Sequence, residues 1–141
     1  MTNTLTYDQL NVGDEIPMVV KNVTQEKINR YADASGDHNP LHIDPEFAKT
    51  TTYSGTIAHG MLSVAYISEM MTQTFGRAWL AGGKLEINFL LPVRPGDTVM
   101  AKGKIAEKTA EDGQQSVRCD VWVENSKGDK VIVGWASALC Q

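Results

Sequence analysis

Ionisable side chains are concentrated in one short segment, Tyr-Ala-Asp-Ala-Ser-Gly-Asp-His-Asn-Pro-Leu-His, at residues 31–42. A helical pattern ends at Gly36, and Pro40 prevents a helix from continuing through the segment. Asp37 and His42 therefore lie on either side of one tight turn. A carboxylate and an imidazole that reach the same water molecule can take a proton from it and return a proton elsewhere. The residues alone leave a second interpretation open, in which Asp37 caps the turn and His42 is a half-buried histidine with an ordinary partner.

A second chemical feature is Gly60, which follows His59 at the start of an apolar helical segment. A backbone amide in the first turn of a helix has no partner within the helix, and the helix dipole adds positive potential there. That amide could hold a carbonyl oxygen as it gains negative charge, as an oxyanion hole does. Close packing of backbone against backbone explains a glycine at this position equally well.

Metal binding is a further possibility, because the chain has three histidines and nearby carboxylates. His38 and His42 have the spacing of two ligands on one helix face, but Pro40 lies between them and breaks that helix. His59, with Asp37 or Asp44 as a further ligand, would have to complete the site. We therefore expect no metal.

The element that precedes the turn is a short amphipathic helix. Residues 18–23 are rich in β-branched side chains and predict a strand, after which Thr24 offers an N-cap hydroxyl. The apolar spacing from Ile28 onwards predicts a helix that closes at Gly36. Beyond the turn, Asp44-Pro45-Glu46 predicts the start of another short helix, and the polar residues 50–57 predict a loop that covers the site.

The segment from His59 to Phe75 is apolar on nearly its whole circumference, which predicts a buried central helix. Its methionines are expected in the core, because methionine fills irregular gaps well. Ser63 is expected to bond a carbonyl of its own helix. Ser68 shares the face of Gly60 and could hydrogen-bond a group on the Asp37 turn.

After Gly76 the pattern of apolar residues changes to the period of two that is typical of strands. Four such segments follow one another, at residues 85–91, 99–105, 117–124 and 131–139. Short turn sequences separate them, at residues 94–97, 111–113 and 125–129, so we expect consecutive strands to be antiparallel neighbours. The pattern predicts an α+β fold in which an antiparallel sheet curves around one long helix.

Composition limits the kind of protein this can be. The 141 residues have the size of one domain, and we expect a single domain over residues 1–141. The net charge of −4 is spread along the chain, which argues against nucleic acid or an anionic membrane as a partner. Cys119 and Cys140 lack the spacing of a disulfide framework or zinc site. With no signal-like or membrane-spanning run, the expectation is a cytoplasmic protein with reduced cysteines.

Three motifs resemble one known family. Tyr31 followed by Ala-Ser-Gly-Asp-His-Asn-Pro-Leu-His at 34–42 resembles the hydratase motif of the MaoC-like dehydratases and (R)-specific enoyl-CoA hydratases. Ala-His-Gly-Met-Leu at 58–62 resembles the start of that family's central helix. Phe-Leu-Leu-Pro-Val at 89–93, with Pro-Gly-Asp at 95–97, resembles the strand and turn that follow it.

The resemblance implies a hot dog fold, a homodimer or an oligomer of such dimers, and an active site in a tunnel near the subunit interface. It implies that Asp37 and His42 activate water and that the amide of Gly60 polarises a thioester carbonyl. Asn39, Ser68 and His59 take supporting roles. The substrate it implies is an acyl-CoA or acyl-carrier-protein thioester, with no cofactor required. Hydration of a trans-2-enoyl thioester, or the reverse dehydration, is the expected reaction.

Three other functions remain open on this basis. The chain could be the 3-hydroxyacyl-carrier-protein dehydratase subunit of the same class. It could be a hot dog thioesterase, although the paired Asp37 and His42 argue against attack at the carbonyl, or a non-catalytic acyl-binding subunit. Three cations, Lys84, Arg94 and Lys102, could meet a phosphate of CoA, although scattered surface lysines usually serve only solvation.

Overall fold

The computed structural model describes residues 5–140. Its strands are β1 (Glu15–Asn22), β2 (Lys84–Phe89), β3 (Thr98–Glu111), β4 (Gln114–Asn125) and β5 (Lys130–Cys140). Its helices are α1 (Gln25–Ser35), α2 (Pro40–Ile43), α3 (Pro45–Ala48), α4 (Gly60–Phe75) and α5 (Arg77–Gly82), with a 3-10 helix at Tyr7–Gln9. The strands form one antiparallel sheet in the order β1-β3-β4-β5-β2. The predicted α+β architecture is confirmed.

Helix α1 has the caps that its sequence predicts. Thr24 Oγ1 accepts a hydrogen bond from the backbone N–H of Lys27 at 3.2 Å. Gly36 closes the helix with φ of 80°, a left-handed conformation that glycine adopts without strain, and its N–H donates to Ala32 O at 2.9 Å. Ile28 and Ala32 face the core, so the C-terminal end of α1 delivers the chain to the turn in a fixed direction.

The turn itself contains more helix than we predicted. Pro40 does not simply end regular structure, because it occupies the first position of α2, where its missing N–H costs no hydrogen bond. Asn39 caps α2, since its Oδ1 accepts from the N–H of Leu41 at 3.0 Å. Asp44 caps α3 through Glu46 N at 3.1 Å, as predicted. Two capped turns therefore hold His42 and its neighbours rigidly.

Helix α4 lies across the sheet and supplies the centre of the core. Its fully buried apolar residues include Ile67, Met70 and Met71, which confirms that these methionines fill the core. Met61 is 55% exposed and Ala65 is also exposed. The prediction of burial on nearly all sides is thus wrong for one face, because the sheet of a single chain covers only the other.

The link between β2 and β3 does not make them neighbours, contrary to the prediction. Strand β2 lies at one edge of the sheet and pairs with β5, whereas β3 pairs with β1 and β4. Residues 94–97 do form a turn, in which Asp97 N donates to Arg94 O at 3.0 Å. Val93 is buried before that turn, and its carbonyl accepts from Ala58 N at 2.7 Å. From this hydrogen bond the chain runs past the start of α4 to β3, which lies towards the opposite edge of the sheet from β2.

Three other features complete the fold. Helix α5 was not predicted from the sequence, which we expected to turn directly from α4 into strands. Cys119 and Cys140 are free thiols, the first buried and the second half-buried, and burial raises the pKa of the Cys119 thiol to about 12. None of the helices described between residues 5 and 140 is both long and apolar enough to cross a membrane.

Candidate active site

His42 is oriented by the covering loop. Its ring Nδ1–H donates to the carbonyl of Ile57 at 2.8 Å, so Nε2 keeps its lone pair and can accept a proton. The backbone carbonyl of His42 accepts from Gln25 Nε2 at 2.8 Å, and Gln25 Oε1 accepts from Thr56 Oγ1 at 2.7 Å. Gln25 on α1, which sequence reasoning missed, thus ties α1, α2 and the loop together around the imidazole.

Asp37 combines the two roles between which its sequence position could not decide. Its Oδ1 accepts from the N–H of Asn39 at 3.2 Å, which is the expected turn cap. One carboxylate oxygen of Asp37 also lies within 4.8 Å of a ring nitrogen of His42 and of His59. Because one water molecule can bridge polar atoms at such a separation, the arrangement suits the shared activation of water. The structure therefore brings together the predicted pair, Asp37 and His42.

His59 is the buried centre of this group and is only 2% exposed. Its ring stacks on His42, with centroids 3.9 Å apart and planes at 27°, and Tyr31 packs on it with a centroid distance of 4.9 Å. His59 Nε2–H donates to the backbone carbonyl of Asp37 at 2.9 Å. Its Nδ1 is buried and finds no hydrogen-bond partner among residues 5–140. His59 therefore fixes the position of both Asp37 and His42.

A metal ion would find three ligand atoms here, one each from Asp37, His42 and His59, within 4.8 Å of one another. The nearly parallel stack of the two imidazoles does not favour this use, because ring lone pairs lie in the ring planes and do not converge on a point between them. His38 lies outside the group and pairs with Asp33 at 3.0 Å, a hydrogen bond that raises the pKa of His38. The absence of a metal remains a prediction from the sequence.

Gly60 begins α4 at the wall of a cavity of about 450 Å³. His59 does not cap the helix with its side chain in the described structure. The N–H of Leu62 donates to His59 O at 3.0 Å, whereas the amides of Gly60 and Met61 have no partner among residues 5–140 and can meet a ligand. A Cβ on Gly60 would lie 2.6 Å from Cε1 of Phe89, whose ring is 55% exposed. Glycine at this position thus allows the Phe89 ring to approach the helix backbone closely.

The cavity runs from the start of α4 along the chain that follows β2. Its walls are mostly apolar and comprise Tyr53, Ile57, Ala58, His59, Gly60, Met61, Ser63, Phe89, Leu90, Leu91, Pro92, Val93, Val131 and Ile132. Asp37 and His42 do not themselves form its wall; they adjoin it through His59. Phe89 and Ser63 were not predicted as site residues, because only the tertiary packing places them beside Gly60.

Ser68 lies about 12 Å along the helix from Gly60, at 1.5 Å per residue. Its Oγ accepts a hydrogen bond from the indole N–H of Trp79 at 3.1 Å. The partner of Ser68 is therefore α5 and not, as we considered possible, the Asp37 turn. Trp79 gave no signal in the sequence, because α5 itself was not predicted.

The fold and these motifs place the chain in a known family. A family model for the MaoC like domain matches residues 11–127, and the chain belongs to this family. A sheet wrapped around a long helix beside this site is the hot dog fold that we predicted.

Named relatives share this domain. The chain is 29% identical to a 3-hydroxybutyryl-CoA dehydratase of Methylorubrum extorquens over 92% of its own length and 79% of the relative's. It is 37% identical to the 3-hydroxyacyl-thioester dehydratase Z of Mycobacterium tuberculosis over 59% of this chain, and it covers just 58% of that protein. The R-hydratase PhaJ1 of Pseudomonas aeruginosa superposes with a TM-score of 0.84 at 29% identity, over 97% of this chain and 86% of PhaJ1.

Proposed function

We propose that this chain is a hydro-lyase, an (R)-specific enoyl-CoA hydratase that also catalyses the reverse dehydration of a 3-hydroxyacyl thioester. One observation carries the proposal: a carboxylate and an imidazole with a free Nε2 meet beside an uncapped helix start at an apolar cavity. The names of the relatives, which include dehydratases and an R-hydratase, support the same reaction.

The reaction begins with a water molecule held between Asp37 and His42. The pair takes a proton from the water as its oxygen bonds to the β-carbon of the enoyl thioester. The π electrons of the double bond move towards the thioester, and the amide of Gly60 stabilises the negative charge on its oxygen. A proton returned from the site to the α-carbon completes hydration, and the same steps in reverse release water from a 3-hydroxyacyl thioester.

We further propose that the chain acts as a homodimer. Strand β2 is an edge of the sheet, and the residues around it expose large apolar side chains, among them Phe89, Leu90 and Leu91. The open face of α4 at Met61 adds to this surface. Apolar surface of this kind beside an unpaired edge is typical of an interface. A cytoplasmic location stays a prediction from the sequence.

The test is to mix the purified protein with crotonyl-CoA and to follow two signals in parallel. Loss of the conjugated enoyl absorbance reports hydration, and release of free thiol reports thioester hydrolysis. We expect the first signal without the second, and we expect chiral analysis to identify the (R)-3-hydroxybutyryl product. Sedimentation of the same sample measures the oligomeric state.

The alternatives give different results. Free thiol released from substrate whose double bond is intact would contradict the proposal and indicate a thioesterase. Silence in both assays, with longer and carrier-protein-linked substrates included, would indicate a non-catalytic acyl-binding subunit. Activity only with the carrier-protein thioester would identify the dehydratase subunit of the same class.

A further inference from the structure

The structure separates the three cations that the sequence left as candidates for a phosphate contact. Lys102 is already paired, since its Nζ lies 2.8 Å from Oε1 of Glu124. Lys84 begins β2 and Phe89 ends it, so Lys84 is roughly 16 Å from the cavity wall at about 3.3 Å per strand residue. Arg94 directly follows Val93, which is part of the wall. Within residues 5–140, Arg94 alone among these three is both beside the cavity and without an ion-pair partner.

Arg94 is held at the rim by contacts on both sides of its backbone and side chain. Its guanidinium Nη2–H donates to the carbonyl of Tyr53, another residue of the cavity wall. Nη1 packs over Gly55, where an added Cβ would be 3.5 Å away. The backbone N–H of Arg94 donates to Asp97 Oδ2 at 2.9 Å. The guanidinium is thus fixed between the covering loop and the link from β2 to β3.

No acidic side chain among residues 5–140 pairs with this guanidinium. Arg94 is exposed and makes no ion pair with any residue in the described part of the chain. One of its five N–H groups donates to Tyr53, and the other four have no hydrogen-bond partner among residues 5–140. The net charge of the chain is −4. The positive charge of Arg94 at the rim of the apolar cavity is therefore opposite in sign to the overall charge of the protein.

Arginine recognises phosphate with paired N–H groups and keeps its charge at any physiological pH. Thioesters of the pantetheine type carry phosphate on the part of the molecule that remains outside an acyl cavity. We propose that Arg94 binds a phosphate of the pantetheine carrier and selects substrates by that carrier charge. This inference rests on the proposed function, because it takes the acyl thioester as the occupant of the cavity.

The test uses three crotonyl thioesters that differ only in phosphate: crotonyl-CoA, crotonyl-4′-phosphopantetheine and crotonyl-pantetheine. For Arg94→Gln we expect KM for crotonyl-CoA to rise about tenfold, the usual effect of one lost charge-assisted hydrogen bond, with kcat unchanged. The kcat/KM for crotonyl-pantetheine should not change. Arg94→Lys, which keeps the charge, should recover part of the loss, and Arg30→Gln on the exposed face of α1 is the matched control with no effect.

The pattern across the substrates locates the contact. An effect shared by crotonyl-CoA and crotonyl-4′-phosphopantetheine assigns Arg94 to the 4′-phosphate, and an effect on crotonyl-CoA alone assigns it to the phosphates of the adenosine part. Added salt should weaken the wild-type preference for crotonyl-CoA and have little effect in Arg94→Gln. An equal loss on all three substrates would overturn the inference, because it would show that Arg94 acts only by holding the Tyr53 loop.

Failure of the proposed function would look different. In that case the wild-type protein would hydrate none of the three thioesters. Calorimetric titration with CoA itself would then still test the inference, since wild-type protein should bind CoA about tenfold more tightly than Arg94→Gln. Equal CoA affinity of the two proteins would reject it.

Discussion

The two halves of α4 differ in how far their polar groups are satisfied by hydrogen bonds. In the C-terminal half Gly76 N–H donates to Thr72 O at 2.8 Å, and Ser68 Oγ accepts from the indole N–H of Trp79. At the N-terminal end the first-turn amides have no side-chain cap in the described structure, and His59 Nδ1 is buried without a partner. The hydroxyl of Thr74 is an exception, because it too lacks a partner among residues 5–140.

Each buried polar group without a partner costs about 1–3 kcal/mol. The protein bears that cost at His59, beside the helix start where a substrate could use open groups, and also at Thr74 near the C-terminus of the helix. Under the proposed function, the two halves of this helix have different tasks, which are reaction at its start and packing in its C-terminal half. Substitutions at the start should lower activity with little effect on stability. Those in the C-terminal half should lower stability with little effect on activity.

The largest expected effect on activity is in the Asp37 and His42 pair, which lies beside the start of α4. Asp37→Asn or His42→Ala removes a group that accepts the proton of water, so turnover of crotonyl-CoA should fall by about 10² or more. Thermal unfolding should show an intact fold in both variants. His38→Ala is the matched control, because His38 is exposed and contacts Asp33 instead. Near-normal turnover in both variants would move the catalytic assignment elsewhere.

An intermediate effect is expected for Gly60→Ala. The new methyl group would lie 2.6 Å from Cε1 of Phe89, so the ring must shift within the space in front of the helix start. We expect kcat/KM to fall about 10- to 100-fold, the scale of a reacting group displaced by about 1 Å. Stability should change little, because the exposed Phe89 ring can rotate.

A second substitution sharpens this result. In the double variant with Phe89→Ala the methyl group has room, so part of the lost activity should return. If the double variant is as slow as Gly60→Ala, the loss does not come from the ring and the close approach of Phe89 has no catalytic importance.

The smallest effect on activity is expected in the C-terminal half of α4, for Ser68→Ala. The Trp79 indole N–H would lose its acceptor, which should lower the free energy of unfolding by about 1 kcal/mol and leave turnover unchanged. Trp79→Phe removes the donor of the same bond, so a double-mutant cycle by chemical denaturation measures the interaction. A large loss of turnover at unchanged stability would instead favour the supporting role in the active site that the family resemblance implied for Ser68.

The sequence predicted those parts of the molecule that depend on neighbouring residues. The caps of α1 at Thr24 and Gly36, the start of α4 at Gly60 and the alternating strands follow from local spacing and side-chain chemistry. The sequence also places Asp37 and His42 on one short segment, but the distance between them depends on helix α2, which was not predicted.

Features that depend on distant contacts were missed or predicted wrongly. The edge position of β2 is set by pairing with β5, which no turn sequence can reveal. The stack of His59 on His42 joins α2 to the N-cap of α4, and Phe89 reaches Gly60 from a strand. The identities of these residues can be read from the sequence, but the contacts between them depend on the three-dimensional fold.

The strand order also has a consequence for the sequence of folding events. Strands β3, β4 and β5 are joined by short turns, whereas β1 and β2 must close long loops, which costs more chain entropy. We expect the hairpins of β3–β5 to form first and β2 to dock late. Pulsed hydrogen exchange during refolding would test this, and early protection of Lys84–Phe89 would contradict it. The cavity wall includes Phe89 of β2 and Ile132 of β5, so it is complete only after β2 has docked. The time at which enzyme activity returns during refolding would therefore measure the final folding step.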